Sequence, residues 1–489
     1  MSDRRRILWT FLITSLALFM TALDNLVVTT ALPVIRRDLG ASLAQLEWTV
    51  NAYTLTFAVL LLTGAALGDR FGRRRVFVAG MAIFTAGSAF AALAPSGDIL
   101  ILARAIQGLG AAIVTPLTLT ILSAAVPAER RGLALGAWGG ISGLAIAIGP
   151  LVGGAIVEGM SWQWIFWLNV PIGLVVLPLA WLRLSESRGA ASRLDLPGLA
   201  LVSAGLFSLV WGLIHGNGDG WTSSGILASF VASAVLLVAF VLRESRTDQP
   251  MLPLRFFRSR TFAAANAVSF LMSFGMFGSI FLLAQYFQVA QGYSPLGAGV
   301  RTLPWTAVPI FIAPLAGILS DRIGSRPLLV AGMALMTAGL AWMAAVSAPG
   351  TEYIRFVPGL ILSGTGMSLF FAPTANLVLG SVGKEEEGQA SGANNAIREI
   401  GGVFGVAVLA SVFASRGGYA SPANFVDGLV PAVWVGAAIV SVGIAAALAV
   451  PALRRSVTID VHAAPVRRDG DPGRVLEPVL NDGEAFARR

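Results

Sequence analysis

The chain has 489 residues, 56% of them hydrophobic and only 12% charged. An ordinary soluble domain carries roughly 25% charge, so the roughly three or four soluble domains this length would otherwise suggest are excluded, because too few charges exist to cover their surfaces. Mean hydropathy is +0.76, and most of the chain must sit in lipid, where apolar surface needs no polar cover. Cys is absent and His occurs only at His215 and His462, which rules out disulfides, thiolate zinc sites, iron–sulfur clusters and a histidine metal centre. The net charge of +8 rests almost wholly on Arg, Lys384 being the sole Lys. These Arg residues stand at the ends of apolar runs, a pattern of membrane topology rather than of nucleic-acid binding.

A spanning helix needs about 20 apolar residues. In chain order, fourteen runs qualify: 8–32, 47–67, 76–94, 99–123, 133–157, 165–182, 197–214, 226–242, 262–289, 302–319, 327–347, 356–379, 391–414 and 429–452. The first follows Arg4, Arg5 and Arg6, as a signal peptide would. It is too long for one, carries Asp24 and lacks a small-residue cleavage site, so it is read as a helix. Arg clusters alternate with poorly charged connections: Arg4–Arg6, Arg70 to Arg75, Arg130 and Arg131, Arg183 to Arg193, and Arg243 to Arg260, with Arg36 and Arg37 the main exception. The positive-inside rule then places both termini in the cytoplasm of a multi-pass protein of the cell membrane. Trp162, Trp164 and Trp167 read as an interfacial aromatic belt. Residues 454–489 are polar and mixed in charge, and read as a disordered cytoplasmic tail.

An internal repeat organises the spans. Asp69, Arg70, Gly72 and Arg74 match Asp321, Arg322, Gly324 and Arg326 at an offset of 252. Gln107–Gly110 matches Ser363–Gly366 at 256, and Gly132, Gly136 and Gly149 match Gly388, Gly392 and Gly405 at the same offset. The expected fold is therefore all-α: a six-helix bundle over 1–190, two inserted helices and a linker over 191–255, a second six-helix bundle over 256–453, and the tail. Repeated halves are the build of secondary transporters, with the substrate path between them.

Function should show where the repeat breaks. Arg104 becomes Leu360, and Gly149-Pro150 becomes Gly405-Val406. Asp24 lies inside the first span, where a carboxylate costs about 2.5–3.5 kcal/mol on insertion scales. A carboxyl that alternates between protonated and ionised forms could couple proton entry to substrate exit; the alternative is a structural ion pair, for instance with Arg104. Arg104 and Gln107 are three apart and share a helix face. Arg398 and Glu399 are neighbours about 100° apart on a helix, so each is expected to need other partners; Glu399 joins Asp24 and Arg104 as an expected proton-coupling residue. The expected substrate cavity takes Asn25, Gln107, Asn394, Asn395 and Arg398. Asp69, Arg70, Gly72, Arg73 and Arg74, with Asp321 and Arg322, form an expected gating loop in which the Asp caps a helix start and pairs across the halves. Gly149, Pro150, Gly153 and Gly154 combine close helix approach with a kink and a place to bend.

These segments together resemble the major facilitator superfamily, specifically its 14-helix drug:proton antiporter family of the QacA/EmrB type, from about Thr10 to Leu453. The segments that carry the resemblance are Leu23–Pro33, Gly68–Arg75, Leu100–Ala112, Gly143–Gly154, Trp162–Gly173 and Gly388–Gly405. The resemblance implies a major facilitator fold of two six-helix bundles with two inserted central helices. It also implies alternating access, with proton entry driving export of amphipathic drugs or toxic compounds. The Gly143–Gly154 segment is similar to a motif that exporters carry and importers generally lack. No cofactor is expected beyond the proton as coupling ion; the expected partners are protons, the bilayer and a lipophilic small molecule, for which a carboxylate-bearing cavity suits a cation while apolar walls accept many shapes, and the expected state is a monomer without nucleic acid. An exporter of one endogenous metabolite and a facilitator or importer without antiport are the alternatives. An ATP-driven exporter lacks its phosphate loop, since Lys384 is followed by Glu385, and a hydrolase lacks HExxH or GxSxG.

Overall fold

The computed structural model describes residues 3–189, 195–248, 250–383 and 386–451. The expected tail, Arg193 and Lys384 lie outside the described residues, as do the side chains of Arg130, Arg131 and Asp321. The first bundle consists of α1 (Asp3–Leu39), α2 (Leu43–Phe71), α3 (Arg73–Ala92), α4 (Gly97–Ala125), α5 (Ala128–Gly159), α6 (Trp164–Trp167) and α7 (Asn169–Arg183). Two helices follow, α8 (Leu196–Asp219) and α9 (Ser224–Glu244). The second bundle consists of α10 (Arg260–Val289), α11 (Pro295–Thr306), α12 (Val308–Ile323), α13 (Ser325–Val346), α14 (Val357–Leu379), α15 (Glu387–Arg416) and α16 (Pro422–Leu448).

Among the described residues, 13 helical stretches are long and apolar enough to cross a membrane. The pairs α6–α7 and α11–α12 each form one of them, Trp164–Arg183 and Pro295–Ser320. Helix α5, the fifth of the expected spans, is apolar over Gly143–Gly159, a shorter stretch than the other 13. The break between α11 and α12 falls at Ala307, two residues before Pro309, whose ring removes a backbone donor. The tenth span starts earlier than 302 because the Ser294 hydroxyl accepts from the Gly297 N–H and fixes a helix start there. Arg36 and Arg37 lie in the last turn of α1 rather than in a connection, where they complement the helix dipole.

Serine caps set most helix starts that follow a loop. Ser42 forms a capping box with Gln45, and Ser96, Ser223, Ser259 and Ser421 each accept from a backbone N–H in the first turn. The repeat shows in the packing. In the first bundle α1 packs on α5, α2 and α3 on α4, and α3 on α7. The equivalents recur in the second: α10 on α15, α12 and α13 on α14, and α13 on α16. The connections match as well. Gly72 and Gly324, at equivalent positions, have φ of 106° and 89°, a region that a side chain at Cβ makes costly.

The bundles meet along two related seams, α2 against α15 and α5 against α11. Helix α8 touches both α2 and α15 and so straddles the first seam, with Asn217 Nδ2 donating to the Ser411 carbonyl at 2.6 Å. Helix α9 turns Val231, Val235 and Val238 outward, each more than half exposed in the protein alone, as a lipid-facing helix must. The largest apolar cluster crosses both bundles and includes Val28, Ile35 and Trp162 from the first and Tyr286, Trp305 and Phe413 from the second. In lipid this packing holds by close contact rather than by removal from water.

Candidate functional site

Asp24 is fully buried, and so are Arg104 and Gln107 on α4. An isolated carboxylate there is prohibitively costly, so its partners define it. Arg104 Nη1 donates to Asp24 Oδ2, Gln107 Nε2 donates to Oδ1 at 3.1 Å, and Asn169 Nδ2 at the start of α7 donates to Oδ1 at 2.8 Å. Gln107 Nε2 also reaches Ser88 Oγ on α3 at 2.7 Å. Arg104 Nε donates to the Thr49 carbonyl of α2 at 3.1 Å, so one guanidinium ties together α1, α2 and α4. Its Nη2 is buried and has no hydrogen-bond partner. The Arg104 guanidinium lies over the Tyr53 ring, 4.3 Å from its centroid, and the Tyr53 hydroxyl donates to the Thr21 carbonyl at 3.0 Å.

Beside this cluster lies a cavity of about 2110 Å³ between the bundles. Its inner walls include Asn25, Tyr53, Phe57, Phe277 and Phe371; it reaches outward to Asp69, Arg73, Gly189, Asp195 and Arg255, at the loop end of α2 and of the inserted helices. Asn25 faces the cavity because it is rotated about 100° from Asp24, which points the other way into the bundle. Tyr53 belongs to both places: it lines the cavity and lies against Arg104. The expectation that Gln107 and Asn394 line the cavity is corrected. Gln107 turns to Asp24, and Asn394 Nδ2 donates to Asn266 Oδ1 and Ser269 Oγ of α10 at 3.1 and 2.7 Å. Asn395, Arg398 and Glu399 do line it. Arg398 and Glu399 also pair with each other, at 2.9 Å, contrary to the expectation of separate partners, because the long Arg side chain bends across the helix surface that separates them.

At the cavity mouth Asp69 lies in the last turn of α2, not at a helix start, and pairs with Arg73 at 2.8 Å within its own bundle rather than across the halves. Gly72 turns the chain between them. The Arg74 guanidinium lies over Trp181 at 5.0 Å, and its backbone N–H donates to Glu186 at 3.0 Å. Arg70 lies over the ring of its neighbour Phe71, and Arg322 is exposed. Asp195 caps α8 and pairs with Arg243 at the end of α9 at 2.7 Å. Burial lifts the Asp195 carboxyl, but hydrogen bonds from Arg243 and the Gly198 N–H outweigh that and hold it below the usual carboxylate range.

The opposite end is shut by the glycine-rich stretch of α5. A Cβ on Gly149 or Gly153 would meet Leu26 or Val27 of α1 at 2.9 or 2.6 Å. One on Gly154 would strike Pro295 of α11, and one on Gly299 would strike Pro150. Bare backbone on both sides thus lets α5 and α11 touch. Thr306 Oγ1 donates to the Ala147 carbonyl at 2.9 Å, in the turn that Pro150 interrupts, and Gln288 Nε2 donates to the Thr30 carbonyl at 2.8 Å. Arg36 of the first bundle lies 4.0 Å over the Tyr419 ring of the second.

Two members of the site escape a reading of the sequence alone, Asn169 and Tyr53. Asn169 is a polar residue inside an apolar helix, which was the available signal; Tyr53 carries none beyond its size. The family model described as Major Facilitator Superfamily matches residues 14–406. A tetracenomycin C resistance and export protein of Streptomyces glaucescens is 36% identical over 429 residues, 87% of this chain and 79% of that protein. The multidrug resistance protein Stp of Mycobacterium tuberculosis is 37% identical over 410 residues, 83% of this chain and 76% of its own length. Among solved structures, a POT family transporter in complex with a thioalcohol-conjugated peptide superimposes with a TM-score of 0.67 at 13% identity, over 90% of this chain and 95% of that one, and so shares the fold. The chain belongs to the Major Facilitator Superfamily.

Proposed function

We propose that the protein exports amphipathic small molecules in exchange for protons, by alternating access between its two bundles. It is a transporter rather than an enzyme, acting as a monomer in the cell membrane with both termini in the cytoplasm. The observation that carries the reading is the buried Asp24–Arg104 pair, divided from the cavity by one ring, Tyr53. While Asp24 is ionised it holds Arg104. A proton on Asp24 removes that counter-charge and leaves a buried guanidinium that must find water or another acceptor, at a cost of several kcal/mol if α1 and α4 stay in place. Helix α1 packs on α5, and α5 packs across the seam on α11, so a shift of α1 bears on the closed end. A substrate pressing on Tyr53 acts on the same guanidinium from the cavity side. The cavity reaches the Arg-rich end, which the positive-inside rule assigns to the cytoplasm, and this is the state that loads cargo.

Relatives named for resistance to and export of antibiotics support drug efflux. A narrower cargo, one self-made antibiotic, is favoured by the tetracenomycin C exporter and by a probable actinorhodin transporter of Streptomyces coelicolor, 34% identical over 422 residues, 84% of this chain and 73% of that one. A susceptibility panel in an efflux-deficient host separates broad from single-compound protection. In proteoliposomes an imposed proton gradient should drive substrate uphill; movement only down its own gradient would make the protein a facilitator instead.

A further inference from the structure

The cavity wall formed by α15 is a polar stripe. Gly388, Ser391, Gly392, Asn395, Arg398 and Glu399 line it at three- and four-residue steps, so one face of α15 supplies the polar contacts. The walls from α4, α5 and α12 are mainly apolar, with Pro116, Leu119, Leu144, Ile146, Ile310 and Pro314 among them.

A cationic cargo needs a carboxylate it can reach, and the one carboxylate deep in the described lining, Glu399, is nearly buried and already paired with Arg398. Asp24 is fully buried among its three donors. At the mouth Asp69 is paired with Arg73 and Asp195 with Arg243, and Asp248 is exposed on the connection after α9. Within the bundle that leaves Arg398 and Glu399. They are not equally open: the Arg398 side chain is 26% exposed and that of Glu399 only 6%. Glu399 Oε1 is engaged by Arg398, and Oε2 is buried with no partner and no surface for a ligand to touch. The guanidinium gives one donor to Glu399, and the Arg398 side chain, partly exposed, lines the cavity 5.9 Å from the Phe371 ring centroid, with Phe277 also in the wall. A planar fork of N–H donors suits a carboxylate or phenolate bidentately, and flanking rings suit a flat aromatic body.

We propose that Arg398 is the polar anchor of the cargo site, and that the preferred cargo is a flat aromatic molecule bearing an acidic group rather than a lipophilic cation. The proposal rests on reading the cavity as the substrate site. Its test therefore measures binding to the purified full chain with no gradient present. Three probes share one ring system: anthraquinone, anthraquinone-2-carboxylate, and the same ring carrying a trimethylammonium group. The carboxylate should bind at least tenfold more tightly than the ammonium probe. R398Q should lower carboxylate affinity about tenfold or more, as loss of a charged hydrogen bond does, while binding of the neutral ring stays unchanged and shows the fold intact. E399Q, which frees more of the fork, should raise carboxylate affinity. An ammonium probe that binds as tightly as the carboxylate, or carboxylate affinity unmoved in R398Q while the neutral ring still binds, overturns the proposal. Failure of uphill transport beside selective carboxylate binding counts against proton antiport and leaves the anchor standing.

Discussion

The Asp24 carboxylate has three side-chain donors, and each can be removed alone. Asn169→Leu leaves Oδ1 with Gln107 only. Loss of one hydrogen bond to a charged group should destabilise the protein by about 1.5–3 kcal/mol, read as a lower melting temperature in detergent; an unchanged melting temperature would mean that Asn169 contributes nothing to holding the carboxylate. Tyr53→Leu keeps an apolar wall but removes the ring under Arg104 and the bond to the Thr21 carbonyl. Efflux should fall well below half while cargo binding changes less than threefold, because Tyr53 joins the two sites rather than holding the cargo. Equal losses in binding and efflux would make it a plain cavity residue. Asp24 and Arg104 stand out in the sequence because charges in apolar runs are expensive. Which way their neighbours point does not, since the rotation of each helix about its axis is set by packing that no single span records. Gln107 and Asn394 turned away from the cavity for that reason.

At the scale of helices, the contact that closes one end is α5 against α11. In Gly299→Val the added Cβ meets the Pro150 carbonyl carbon at 2.9 Å, and the flanking backbone cannot give. Overpacking of this kind costs about 1–3 kcal/mol and acts on the state in which this end is shut. The chain has no Cys, so a single cysteine at Thr30, buried beside this contact, can be labelled without background. Its labelling rate should rise several-fold in Gly299→Val; an unaltered rate would show that the contact does not hold the end closed. The inserted helices are pinned differently. Asp195 caps α8 and pairs with Arg243, so Asp195→Ala should cost about 1 kcal/mol. Since the folded carboxyl titrates below its unfolded counterpart, this contribution fades as pH falls from the ordinary Asp range near pH 4 through the folded value. A wild-type advantage over Asp195→Ala that grows as pH falls below about 4 would contradict that assignment. The spans and the repeat were legible because length, hydropathy and the two glycine turns at Gly72 and Gly324 are local properties. The straddling of α2 and α15 by α8 was not, because a lipid-facing helix carries no sequence mark of which seam it covers.

For the molecule as a whole, two related bundles enclose a cavity that reaches the Arg-rich end and stops at a packed apolar cluster spanning both bundles. The matching of α1–α5 with α10–α15, and of the α2–α15 seam with the α5–α11 seam, carries the internal repeat into the packing, the symmetry that the proposed alternating access would use. Two residues that break the repeat, Arg104 and Pro150, lie in the first bundle, beside the buried Asp24 that the proposed antiport assigns to the proton. The most direct test compares wild type with Asp24→Asn in proteoliposomes, following two readouts: uphill substrate movement under an imposed proton gradient, and substrate exchange at equal pH. Wild type should do both, and Asp24→Asn should retain exchange but lose uphill movement. Uphill movement by Asp24→Asn at the wild-type rate would contradict proton coupling at Asp24.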